Sequence, residues 1–107
     1  TPVISELARM PVGILDFEFA KSPGNLALCR EMDFGKRMIG FGCVDSSAPV
    51  AETADVIRSR IETALSVFAP EQLLIDPDCG LRMLPRDTAY LKLARMVEAV
   101  QEVRKDL

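Results

Sequence analysis

Apolar residues fall into three compact runs separated by stretches of longer period. The runs are Val12 to Phe19 (VGILDFEF), Arg37 to Asp45 (RMIGFGCVD) and Leu73 to Ile75, the last bounded by Pro70 and Pro77. Short, nearly continuous apolar runs with such boundaries predict strands buried on both faces of a parallel sheet. Between them the period changes. Pro23 and Gly24 open a short helix through Leu26, Cys29 and Met32. After the loop SSAPVAET, Val56, Ile57, Ile61, Leu65 and Phe68 recur at helical spacing, with Arg58, Arg60 and Glu62 on the opposite side. Asp87 is the predicted N-cap of a last helix whose apolar stripe runs through Tyr90, Leu91, Ala94, Val97 and Val100.

Strand and helix therefore alternate at about thirty residues per unit, the length that a βαβ crossover requires. This is an α/β chain with no internal repeat and no linker. Parallel strands joined by right-handed crossovers bring their carboxyl ends to one edge of the sheet, where α/β folds carry their chemistry. The residues at those ends are Glu18, Asp45 and, just past the third strand in DPDCG, Cys79. Two carboxylates and a thiol are thus expected to face one cleft. Gly40 and Gly42 in the second strand predict close backbone packing beside it.

Composition narrows what this cleft can do. The chain contains no histidine, so serine or cysteine catalysis through a histidine base cannot be assembled within it, and zinc would lose its commonest nitrogen ligand. A formal net charge of −3 with scattered Lys and Arg offers no surface for nucleic acid. No apolar run approaches membrane-spanning length and no signal-peptide order opens the chain, so a cytoplasmic location without a membrane partner is expected. Cys29, Cys43 and Cys79 are odd in number and irregularly spaced, which favours reduced thiols. Cys29 and Cys43 read as apolar filler, and Met32, Met83 and Met96 as core.

The segment IDPDCGLRMLPRDTAYLKLARMVEAVQEVR resembles the closing strand and helix of the catalytic barrel of cobalamin-independent methionine synthase, where an Asn-Pro-Asp-Cys-Gly-Leu motif precedes a helix rich in Ala, Met and Val. Asp76 stands where the family usually has Asn. IGFGCVDSSAPVAETADVIRSRIETAL and LDFEFAKS are similar to the two preceding strand segments, in family order. The resemblance implies that residues 1–107 form the carboxyl-terminal portion, about three βα units, of a TIM-type (β/α)8 barrel. Such barrels typically need about 250 residues. It also implies a zinc-dependent methyltransferase that passes a methyl group from methylated folate to the sulfur of homocysteine. Of the family's zinc ligands, a Glu at a strand end and the Cys of the Asp-Cys-Gly motif match Glu18 and Cys79; the His-x-Cys pair of an earlier strand has no counterpart. Many members carry a proton-transferring His where Ser47 stands, which leaves Asp45 as the nearest candidate for a catalytic role. The expected partners are the two substrates and either the rest of a barrel or further copies of the chain.

Plainer readings compete with each assignment. A lone strand-end cysteine is more often packed or inert than a ligand, Glu18 taken without the resemblance reads more readily as a solvated carboxylate, and Asp45 reads equally as a loop cap. At the level of the chain, the alternatives are a related alkyl transferase with another thiol acceptor or donor, and a non-catalytic α/β module that covers its apolar flanks by self-association.

Overall fold

Leu15, Phe17 and Phe19 alternate with Ile14, Asp16 and Glu18, and strand geometry sends the two sets to opposite faces. In the computed structural model, which describes residues 6–107, this segment is β1 (Ile14–Glu18). It is followed by α1 (Gly24–Cys29), β2 (Met38–Val44), α2 (Ala54–Leu65), a single 3-10 turn (Pro70–Gln72), β3 (Leu73–Pro77) and α3 (Arg86–Lys105). The three strands form one parallel sheet in the order β1-β2-β3. Each of these three helices intervenes between or follows strands, as a portion of a barrel requires.

One face of the sheet carries the core. Leu15, Phe17, Phe19, Ile39, Phe41 and Cys43 pack under Leu26, Cys29 and Phe34 on one side and Ile57, Ile61, Ala64, Phe68, Ala99 and Val103 on the other. The Phe19 and Phe41 rings stack with centroids 4.6 Å apart. Cys29 and Cys43 are buried here, and burial pushes their thiols up to about 11 and about 12, so both stay protonated packing groups. Only β2 is buried along nearly its whole length. Ile14 and Leu74 are exposed because register places them on the face opposite the core, so the expectation of two-sided burial fails for both outer strands.

The opposite face is lined by carboxylates and glycines. Register pairs Asp16 with Gly40 and Gly42 with Asp76. Asp16 and Asp76 sit on strands two apart, a separation of about 9–10 Å, and meet only because β2 presents no side chain between them. A Cβ on Gly40 would lie 2.6 Å from Asp16 Cγ, and one on Gly42 would lie 2.6 Å from Asp78 Oδ1. Gly40 thus makes room for a carboxylate side chain, whereas Gly42 admits backbone as well, since its Cβ would also lie 2.8 Å from Phe17 O and 2.9 Å from Asp78 Cα, the close backbone packing expected. Burial, together with the side chain of Asp16, pushes Asp76 up to about 7.

The helices depart from the predicted pattern in specific ways. Thr53 caps α2 by accepting a hydrogen bond from Val56 N–H at 3.3 Å. Ile57 and Ile61 face inward, whereas Val56 is exposed and Phe68 packs from the turn beyond the helix. Arg58 lies outside and pairs with Glu62, Glu102 and Asp106, but Arg60 folds back to the carboxyl end of β2. On α3 the cap position is Pro85, and Asp87 lies in the first turn, where a carboxylate still favours the helix dipole. The inward stripe is Lys92, Met96, Ala99 and Val103, joined by Val100, while Tyr90 is 75% and Val97 51% exposed. A buried lysine at the start of the true stripe shifts the apparent apolar phase. Met32 and Met96 pack against the core, but Met83, in the loop after β3, is 85% exposed. Among the described residues no helix is long and apolar enough to cross a membrane.

Candidate functional site

The carboxyl end of β1 and the turn after β3 meet in a direct contact: the Cys79 thiol donates to Glu18 Oε1 at 2.8 Å. The motif DPDCG explains why. Pro77 lacks an N–H and ends the ladder of β3. Asp78 N–H then donates to Val44 O at 2.9 Å, which turns the chain across the top of β2. The Asp78 carboxylate reaches the turn that follows Glu18, where Oδ1 accepts from Phe19 N–H at 3.1 Å and Ala20 N–H at 3.2 Å, and Oδ2 from Lys21 N–H at 2.8 Å. Asn25 donates its side-chain N–H to Glu18 O at 2.9 Å. Gly42 leaves the path of the Asp78 side chain clear. One carboxylate therefore ties together the two loops that carry Glu18 and Cys79. Three amide donors oppose, without outweighing, the burial that raises Asp78 above its ordinary range.

Cys79 is exposed, and its thiol is raised because the proton is shared with the Glu18 carboxylate. The Ser46 hydroxyl, on the loop after β2, acts on the same sulfur in the lowering direction. A sulfur exposed on the turn after β3 and a half-buried carboxylate oxygen at the end of β1 are donors of the kind that zinc takes. They amount to half of a four-ligand set. Among the described residues no group of three or more His, Cys, Asp and Glu side chains could hold a metal ion.

Asp45 reaches the same edge but not the same contact. Its Oδ1 accepts from Ser47 N–H at 2.9 Å and from Ser47 Oγ–H at 2.7 Å, and these two bonds hold its carboxyl below the usual range. The carboxylate is charged at neutral pH and is turned to its own loop. Its backbone is gripped from below: Asp45 N–H donates to Glu52 Oε2 at 2.9 Å, and Asp45 O accepts from Lys92 Nζ at 2.8 Å. Burial raises Glu52, but donors from Asp45, Arg60 and Lys92 outweigh it and hold the carboxylate below its ordinary value.

Glu18 and Cys79 are thus in contact, with Asp45 on the loop that touches Cys79 through Ser46. Sequence reasoning missed Asp78, whose only visible signal was its place beside the cysteine. It also missed the Asp16 and Asp76 pair, for which the two glycines between them in the sheet were the clue, and the buried Lys92 and Glu52 pair.

Residues 1–102 match the family model described as the catalytic domain of cobalamin-independent synthase. The methionine synthase of Methanothermobacter marburgensis is 47% identical over 94% of this chain and 32% of its own length; that of Methanothermobacter thermautotrophicus is 44% identical over 91% and 32%. The chain therefore spans about a third of the curated relatives it matches. Its fold superposes on the structure of a B12-independent methionine synthase from Shewanella sp. W3-18-1 in complex with selenomethionine, with a TM-score of 0.87 at 21% identity, over 97% of this chain and 30% of that one.

Proposed function

The chain belongs to the cobalamin-independent methionine synthase catalytic-domain family, and from that premise we propose that it is the carboxyl-terminal third of a barrel that moves a methyl group from methylated folate to the sulfur of homocysteine. The observation that carries this reading is the 2.8 Å contact between Cys79 and Glu18, the two family zinc ligands that the chain retains. Zinc, when bound, would supply a charge that keeps the substrate thiol deprotonated at neutral pH. Cys79 and Glu18 would provide two of its ligands, and the rest of the barrel the others. Asp78 would hold the two donors in register.

In the transfer, the substrate sulfur forms a bond to the methyl carbon as the bond from that carbon to the folate nitrogen breaks, and the nitrogen leaves well only if it gains a proton. Asp45, held ionised by Ser47, is a poor store for that proton near neutral pH. Its role in this reading is to fix the Ser47 hydroxyl, whose oxygen is left to accept from a water that brings the proton from solvent to the nitrogen. The serine also sustains a second reading, a relative with another thiol acceptor or methyl donor.

The test is transfer of labelled methyl from methylated folate to homocysteine by a complete barrel containing this segment. Methionine should form, Cys79→Ser should abolish it, and Asp45→Asn should slow it with metal content intact. Transfer to other thiols but not to homocysteine would replace this reading with the second.

A further inference from the structure

Lys92 is fully buried on a helix that otherwise packs apolar side chains against the sheet. Its ammonium has three donors and they meet three acceptors: Asp45 O at 2.8 Å, Glu52 Oε1 at 3.0 Å and Val50 O at 3.2 Å. Glu52 passes the grip on, accepting from Asp45 N–H through its other oxygen, which also takes Arg60 Nη1; the same Arg60 nitrogen donates to Cys43 O at 2.8 Å. The backbone from Cys43 O to Asp45 O spans the irregularity between Gly42 and Val44 and runs one residue past the end of β2. There its polar groups are taken up by side chains: Cys43 O by Arg60, Asp45 N–H by Glu52 and Asp45 O by Lys92. Val44 O is held by the Asp78 amide, so the same few residues of backbone join this network to the Cys79 turn.

A buried ion pair is a weak source of stability, since well-packed apolar residues of similar volume often do as well. What an apolar pair cannot do is hold a particular N–H and a particular carbonyl. We propose that Lys92 and Glu52 are positioning residues that clamp Asp45 by both of its backbone groups, fixing the loop of Ser46 and Ser47 over Cys79. The proposal rests on the functional reading above for its consequence in catalysis, and on the hydrogen bonds alone for its consequence in structure.

The consequence is local. With Lys92 replaced by methionine the aliphatic volume is kept, but Asp45 O and Val50 O lose their donor and Glu52 its buried partner. The loop should then move as a unit while β2 beneath it stays in place.

The experiment compares Lys92→Met and Glu52→Gln with Val103→Ala, a core truncation on the same helix, in a complete barrel containing this segment. Amide hydrogen exchange is read at Asp45 and Ser47 and, as reference, at Ile39 and Phe41. Exchange at Asp45 and Ser47 should rise at least about tenfold in the first two variants relative to the reference amides, and rise no more than the reference in Val103→Ala. In methyl transfer, kcat should fall about tenfold with KM for the thiol within about twofold, because a misplaced loop costs rate before binding. Glu52→Gln keeps the side-chain shape and decides the matter if Lys92→Met does not fold. Uniform acceleration of exchange across loop and strand, or a kcat loss equal to that of Val103→Ala, would overturn the clamp. If the wild-type barrel transfers no methyl group to homocysteine but the exchange result stands, the functional reading fails and the clamp does not.

Discussion

Asp78 accepts three backbone amides from the turn after Glu18, and no other side chain among the described residues links the two halves of the Cys79 and Glu18 pair so directly. Its removal should loosen both candidate ligands without touching either. Asp78→Ala in a complete barrel is expected to weaken zinc affinity by about 10–100-fold, as the loss of a ligand-orienting partner commonly does, with Asp78→Asn intermediate. Competition with a chromophoric chelator measures it. Asp76 makes a different prediction. Its carboxyl is raised by burial and by Asp16, with one oxygen buried and without a hydrogen-bond partner. The folded state therefore binds a proton that the unfolded chain has already released, so this group's contribution to stability is full below about pH 4 and is lost as pH rises toward about 7. Asp76→Asn, which can donate to Asp16 without a charge, should stabilise the protein by on the order of 1–2 kcal/mol at pH 8 and progressively less toward pH 4. Urea melts at the two pH values show the difference; an equal gain at both would mean that Asp76 is not held protonated. Glu18 and Cys79 were legible from sequence because strand-end position is a property of the pattern. Asp78 and Asp76 were not, because an aspartate flanking a proline reads as turn chemistry until the neighbouring strands are in place.

At the scale of the elements, the alternation of strands and helices was visible in the change of hydrophobic period, and the three strands and three helices it predicts are found at those places among the described residues. The phase of α3 was not visible. Tyr90, Leu91, Leu93 and Val97 form an apolar set on its outer side, and Lys92 looks polar although it is fully buried. A pattern argument assumes that charge means solvent, and here a cluster of backbone carbonyls and one carboxylate stands in for solvent. The assignment can be checked by substitution. Ala99→Leu should cost about 1–3 kcal/mol through overpacking. Tyr90→Lys should change stability by no more than about 0.5 kcal/mol in this chain. Denaturant melts of the two variants would reveal the opposite order if the predicted stripe, and not the observed one, faced the sheet.

The molecule as a whole has more sheet edge and apolar surface than its three strands can cover. Among the described residues β1 and β3 each have an unpaired side, and beside β3 a groove of about 480 Å³ opens between Ile61, Leu65, Leu73, Ile75, Met96 and Val100. In the reading proposed here the rest of a barrel fills these positions. The chain in isolation should therefore associate into dimers or larger species, which light scattering across a dilution series would detect; a cooperatively unfolding monomer at low concentration would count against that reading. The same incompleteness governs the metal. Two ligands are too few for tight zinc, so the isolated chain should purify without stoichiometric metal. The most direct test of the central claim is then the zinc content of a complete barrel containing this segment, measured beside its Cys79→Ser and Glu18→Gln variants. One zinc per chain is expected in the parent and loss of tightly held metal in Cys79→Ser, with weakened retention in Glu18→Gln; full zinc occupancy in both variants would show that these two residues do not hold it.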